Sequence, residues 1–144
     1  MSEQFEATIQ KTNELLKEIE RKFCWENRRN QSYAALRAVL HTLRNRLTVE
    51  EAVQLGAQLP MLIRGMYYEG WNPKHVPVKM DKEEFLGEIR RQFPLSIEGT
   101  TEDLVCVVLQ ALQKYISFGE AQNLISILPK DIAQMFDTFI KKEV

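Results

Sequence analysis

The sequence predicts an all-α fold, a bundle of about eight helices formed by two tandem, pseudo-symmetric four-helix repeats. Three observations predict it. Apolar residues recur at spacings of three and four along most of the chain, the signature of one buried helix face. The chain matches itself when slid by 69 residues. Each half also carries a hydroxyl residue three places before a glutamate, followed by a Leu-Pro pair.

The 69-residue shift sets Val39 to Tyr67 against Val108 to Phe136. Ten positions are identical: Val39/Val108, Leu40/Leu109, Leu43/Leu112, Glu51/Glu120, Ala52/Ala121, Leu55/Leu124, Leu59/Leu128, Pro60/Pro129, Ile63/Ile132 and Met66/Met135. A shift of 70 extends the match upstream, where Glu14, Leu16, Glu18, Ile19, Arg21 and Phe23 meet Glu84, Leu86, Glu88, Ile89, Arg91 and Phe93. The shared positions are apolar or capping residues, so the repeat reports a duplicated fold before it reports a duplicated site.

The first helix is expected over about Phe5 to Phe23, with Ile9, Leu16, Ile19 and Phe23 on one stripe. Its counterpart starts after Asp81, an N-cap candidate with Glu84 three residues on. The second helix places Tyr33, Leu36, Leu40, Leu43 and Leu47 on one face, matched by Val105, Leu109, Leu112 and Ile116. The third opens with a capping box, Thr48 with Glu51 and Ser117 with Glu120, in which hydroxyl and carboxylate each satisfy an orphan amide. These glutamates read as cap parts rather than catalytic acids. Pro60 and Pro129 push Leu59 and Leu128 out of the helical region and end that helix. Proline then suits the first turn of a fourth helix carrying Ile63 and Met66, or Ile132, Met135 and Phe136. The alternation of Val76, Val78 and Met80, together with Pro73 and Pro77, reads as an extended connector. The expected organisation is a first repeat over 1–73, a connector over 74–81 and a second repeat over 82–144, in one body.

At 144 residues the chain can bury a full core without staples. Hydrophobic residues at 44% and charged residues at 27% exclude a disordered or membrane-spanning chain. The longest apolar stretch, Leu104 to Leu109, is too short to cross a bilayer, and the start is acidic and lacks a secretory apolar segment. A cytoplasmic protein is expected. Its net charge of −1 gives no overall attraction to nucleic acid or anionic lipid. Cys24 and Cys106 lack metal-ligand spacing and read as unpaired.

The run YAALRAVLHTLRNRLTVEEAVQLGAQLPMLIRGMYYEGWNP, Tyr33 to Pro73, joins the RAVLHTL helix, the capping box, the QLP corner and the YYEGW stretch in order. In this it resembles the uncharacterised bacterial family called domain of unknown function 2267, and the resemblance continues into the second copy. It implies a helical bacterial protein with two copies of the unit, and it carries no activity onto any residue. One departure stands out. Asp137, Thr138, Phe139 and Ile140 stand where Tyr68, Glu69, Gly70 and Trp71 stand in the first copy, so the aromatic segment occurs once.

Two groups are contact candidates. Tyr67, Tyr68 and Trp71 surround Gly70, a natural helix C-cap, and aromatics with polar handles favour interfaces. The bland reading is that Tyr67 and Trp71 simply seal the seam between the halves, with Tyr68 partly exposed. Between Asn27 and Val49 the chain carries Arg28, Arg29, Arg37, Arg44 and Arg46 and no acid. Arg37, His41 and Arg44 fall on one helical face, opposite Leu36, Leu40 and Leu43. The matching stretch of the second copy, Ser96 to Phe118, holds Glu98, Glu102 and Asp103 against Lys114 alone. The stripe of Arg37, His41 and Arg44 could bind phosphates, but opposite local charge suits docking of the halves, self-association or an acidic partner at least as well as nucleic acid; the bland reading is a solvated face.

His41 and His75 are the only histidines, and neither stands at helix spacing from a carboxylate or cysteine. No glycine-rich phosphate loop is present. The sequence therefore assigns no catalytic residue, cofactor or metal ligand. The expected function is a non-enzymatic interaction module with a protein partner or a homodimer, and without nucleic acid or membrane. The rival is a small-ligand- or metal-dependent enzyme with its site between the repeats, including a cofactor held by Cys24, Cys106 or His41.

Overall fold

The structure is a computed structural model that describes residues 3–95, 97 and 99–136. Among these residues all regular elements are helical. They are α1 (Glu3–Phe23), α2 (Arg29–Arg46), α3 (Val49–Ala57) and α4 (Met61–Tyr68). A 3-10 turn at Pro73–His75 and an extended connector lead to α5 (Lys82–Gln92), α6 (Thr101–Leu112), α7 (Phe118–Ile127) and α8 (Lys130–Ala133). The chain then enters a 3-10 turn at Gln134–Phe136. Asp137 to Ile140, which align with the aromatic segment when the sequence is shifted against itself, lie outside the described residues, as do Ser96 and Glu98.

Local chemistry sets most of the boundaries. The capping boxes at Thr48/Glu51 and Asp81/Glu84 form as expected, and Thr100 with Asp103 forms a third. At Ser117 half of the expected box is missing. Its hydroxyl accepts from the Glu120 amide at 3.1 Å, but its own amide donates to Gln58 Oε1 at 2.8 Å. A side chain from the other half thus displaces the local carboxylate, because the two compete for a single N–H.

Both Leu-Pro corners stop a helix and start another with nearly the same backbone, Pro60 at φ −56, ψ 151 and Pro129 at φ −54, ψ 146. The prolines sit at the N-cap rather than inside the first turn. Their carbonyls accept the first helical bonds, from Arg64 N and Ala133 N, each at 2.8 Å. A proline N-cap offers no side-chain acceptor, and the gap at α4 is filled from α1: Thr8 Oγ1 accepts from Leu62 N at 3.1 Å. Arg64 caps the preceding helix in turn, with Nε on Gly56 O at 2.9 Å and Nη2 on Leu59 O at 2.9 Å. Each corner element is therefore completed by a neighbour.

The helix α2 packs on α1, α4, α5 and α6, and α6 also packs on α1 and α5. These central helices carry the fully buried Leu36, Leu40, Val105 and Val108. Tyr33, expected on the buried stripe, is 40% exposed, although its neighbour Ser32 is fully buried. Trp25, in the α1–α2 link, is buried and stacks on Phe23 with centroids 4.6 Å apart. It also lies 6.0 Å from Phe93, so the indole bridges two residues that match under the 70-residue shift.

Among the described residues the polar links across the halves are neutral: Gln92 Nε2 to Thr42 Oγ1 at 3.3 Å, Tyr115 Oη to Lys11 O at 3.2 Å and Ser117 N to Gln58 Oε1 at 2.8 Å. Among the described residues no ion pair joins the basic stretch of the first half to the acidic stretch of the second. Arg29 pairs with Glu20 and Arg37 with Glu69, while Glu102 pairs with Lys82 and Asp103 caps α6. The ion pairs that these stretches do form thus lie within each half. The connector is pinned by Val78 N, which donates to Asn45 O at 2.7 Å. Among the described residues no helix is long and apolar enough to cross a membrane.

Candidate functional site

The two groups singled out in the sequence meet at the carboxyl end of α4. A helix leaves its last carbonyls without intrahelical donors, and when such an end is covered they need partners from elsewhere. Here the donors come from α2. His41 Nε2 lies 2.7 Å from Met66 O, and Arg44 Nη1 donates to both Tyr67 O and Glu69 O at 2.6 Å. His41 and Arg44 stand three residues apart, one turn of α2, so one face delivers both.

This corrects the reading of Arg37, His41 and Arg44 as a surface stripe. His41 is 4% exposed and Arg44 5%, and only Arg37 reaches solvent. The reason is packing: α2 is enclosed by four other helices along this stretch, so the residues opposite Leu40 and Leu43 face a helix end instead of water. A cation at that position is favoured by the negative end of the helix dipole as well as by the hydrogen bonds. Burial lowers the His41 pKa, the bond to Met66 O opposes that, and the neighbouring Arg44 and Arg37 charges lower it further. The ring is neutral with its proton on Nε2, because a carbonyl can only accept. Burial also lowers the Arg44 pKa, yet a guanidinium stays charged.

Beyond the cap the chain makes a tight turn. Trp71 N donates to Tyr68 O at 3.0 Å, with Glu69 at φ −59, ψ 124 and Gly70 at φ +74. These angles make a type II turn, whose third residue needs a positive φ and hence glycine. The turn carries the aromatic segment. Tyr67 is fully buried and donates from its hydroxyl to Ala52 O at 2.7 Å, so it seals α4 against α3 within the first half. Burial holds that phenol protonated far above its usual range. Tyr68 and Trp71 are half-buried, with ring centroids 5.5 Å apart, and Tyr68 meets Tyr67 edge-on at 5.0 Å. Trp71 Nε1 is shielded and has no hydrogen-bond partner among the described residues. Glu69 and Gly70 are exposed, and the Glu69 carboxylate stands 3.8 Å from Arg37.

Gly56 completes the site and was not signalled by any motif. A Cβ there would stand 2.8 Å from Tyr68 Cζ and 3.1 Å from Tyr67 Cε2, so only glycine lets both rings lie on α3. It stands in the last turn of α3, where a glycine reads as an ordinary helix-end residue, so nothing in the sequence signals this contact. The positions that match His41 and Arg44 in the second half are Gln110 and Gln113, so the cationic cap, like the aromatic segment, is found in one half. Among the described residues no three His, Cys, Asp or Glu side chains gather to hold a metal ion.

A family model described as an uncharacterized conserved protein, DUF2267, matches residues 12–135. The chain belongs to that family. The DUF2267 match runs from α1 to the last 3-10 turn and takes in His41, Arg44 and the Tyr68–Trp71 turn. None of the curated proteins matches the chain.

Proposed function

We propose that this DUF2267 chain is a non-enzymatic interaction module whose two halves are related copies of one helical unit. Its contact is the corner formed by Tyr68, Glu69, Gly70 and Trp71, and its partner is another protein or a second copy of the chain. One observation carries this reading: a buried guanidinium, 5% exposed, spends its donors on the carbonyls of an otherwise exposed turn. Burying a charge without a carboxylate partner is costly, and what it secures here is the shape of that turn. A half-buried Tyr–Trp pair held in one geometry loses little entropy on contact, and such residues dominate binding energy at interfaces. Because the corner is found in one half, each chain offers one such surface.

Site-specific photo-crosslinking tests the proposal. A photoreactive side chain at the exposed Glu69 position should yield one discrete adduct, in cells or at high concentration of the purified chain. Tyr68→Ala should abolish the adduct while the protein still melts cooperatively. A chain that sediments as a monomer and forms no discrete adduct at this position defeats the reading.

A further inference from the structure

A second surface lies on the far side of the α3–α4 corner. A groove of about 500 Å³ opens there between α1, the corner and the α6–α7 link, so both halves build it. Lys11, Arg64 and Lys114 line it, and no aspartate or glutamate does. None of the three cations forms an ion pair among the described residues. Glu14 and Glu18, further along α1, influence Tyr115 and Lys114 electrostatically but do not enter the groove. Three positive charges around one concavity of a chain with net charge −1 concentrate the field there.

We infer that this groove binds a small anion carrying more than one phosphate. Its size is that of a small-molecule site, and its walls include the Thr8 hydroxyl and the Gln58 amide beside the cations. The choice of phosphate follows from the kind and number of the cations. Arg64 Nε donates to Gly56 O and its Nη2 to Ala57 O and Leu59 O, which leaves Nη1 alone for a ligand. Each edge of the guanidinium fork thus includes a committed nitrogen, so Arg64 offers its charge and the free Nη1 rather than a paired bond to any anion. Two lysines are compact point charges, suited to the dense charge of phosphoryl groups. The positive end of α4 opens at the same edge, at Pro60 and Met61, and adds to the field. Such a ligand would touch both halves and so stabilise their packing.

Calorimetric titration with tripolyphosphate, at low and fixed ionic strength, tests this on the whole chain. One site per chain is expected. Lys11→Gln combined with Lys114→Gln, both exposed positions, should weaken binding on the order of tenfold or more. Lys17→Gln combined with Lys22→Gln removes the same charge from α1 outside the groove and should change affinity by less than about twofold. Absence of binding, equal weakening by the two double variants, or citrate binding as tightly as tripolyphosphate would each overturn the assignment. Melting curves of both double variants confirm that each is folded. The Tyr68–Trp71 corner is a separate surface, so its crosslinking result is independent of this one.

Discussion

Trp25 lies against Phe93, ring centroids 6.0 Å apart, and joins the loop after α1 to the residue that closes α5. Stacked on Phe23 as well, this indole is a buried aromatic anchor between the halves, whereas Trp71 leans on Tyr68 at the edge of one half. Trp25→Ala should therefore destabilise the protein by about 3 to 5 kcal/mol, the range for deleting a buried large aromatic. Trp71→Ala should cost about 1 to 2 kcal/mol, in keeping with a half-buried ring. Denaturant midpoints of the two variants measure the difference, and a larger loss at Trp71 would reverse this placement of the seam.

Arg44→Met keeps the stem of the side chain but leaves the carbonyls of Tyr67 and Glu69 without their donor. Leaving a buried acceptor unpaired costs roughly 1 to 3 kcal/mol. The loss should appear as a lower melting temperature and as faster amide exchange at Trp71, whose N–H closes the turn. Protection at Trp71 equal to that of the parent protein would show that the turn holds itself without the guanidinium.

Stability should depend on pH through His41. In the unfolded chain an imidazole titrates near about 6.5, and burial lowers that value in the folded protein. Between the two values the unfolded chain binds more protons, so stability rises with pH there. The contribution is complete above the unfolded value and is lost as pH falls through it toward the folded one. One proton gives a slope of at most about 1.4 kcal/mol per pH unit. Melts of the parent and of His41→Gln between pH 5 and pH 7.5, about the unfolded value, should differ in slope by this term. Parallel curves would mean that the ring accommodates its proton in place.

Gly56 and Gly65 offer an opposed pair of alanine substitutions. A Cβ at Gly65 meets nothing within 4 Å, so Gly65→Ala should stabilise by about 0.8 to 1 kcal/mol through helix propensity alone. At Gly56 the same propensity gain is opposed by the Tyr68 and Tyr67 rings, at 2.8 and 3.1 Å. Displacing them should give a net loss of about 1 to 2 kcal/mol. Denaturant titration reads both, and a stabilising Gly56→Ala would show that Tyr68 moves aside freely.

The sequence by itself determined the elements. Helix type, the Leu-Pro corners, the boxes at Thr48 and Asp81 and the connector rest on apolar spacing and on residues a few positions apart, which act through local sterics and local hydrogen bonds. What surrounds each helix was decided only by the tertiary structure. The spacing of Arg37, His41 and Arg44 is that of a solvated stripe, yet two of the three are buried because α2 is enclosed and a helix end lies across it. Ser117 follows the same rule: its own glutamate stands at the capping distance, and Gln58, 59 residues away in sequence, takes the bond instead. Nor does the chain say which indole is enclosed, since Trp25 and Trp71 both sit in links between helices. Periodicity tells which face of a helix is apolar, but a polar side chain becomes a buried cap or a surface group according to the neighbour that packs over it, and that neighbour is brought in by long-range contacts.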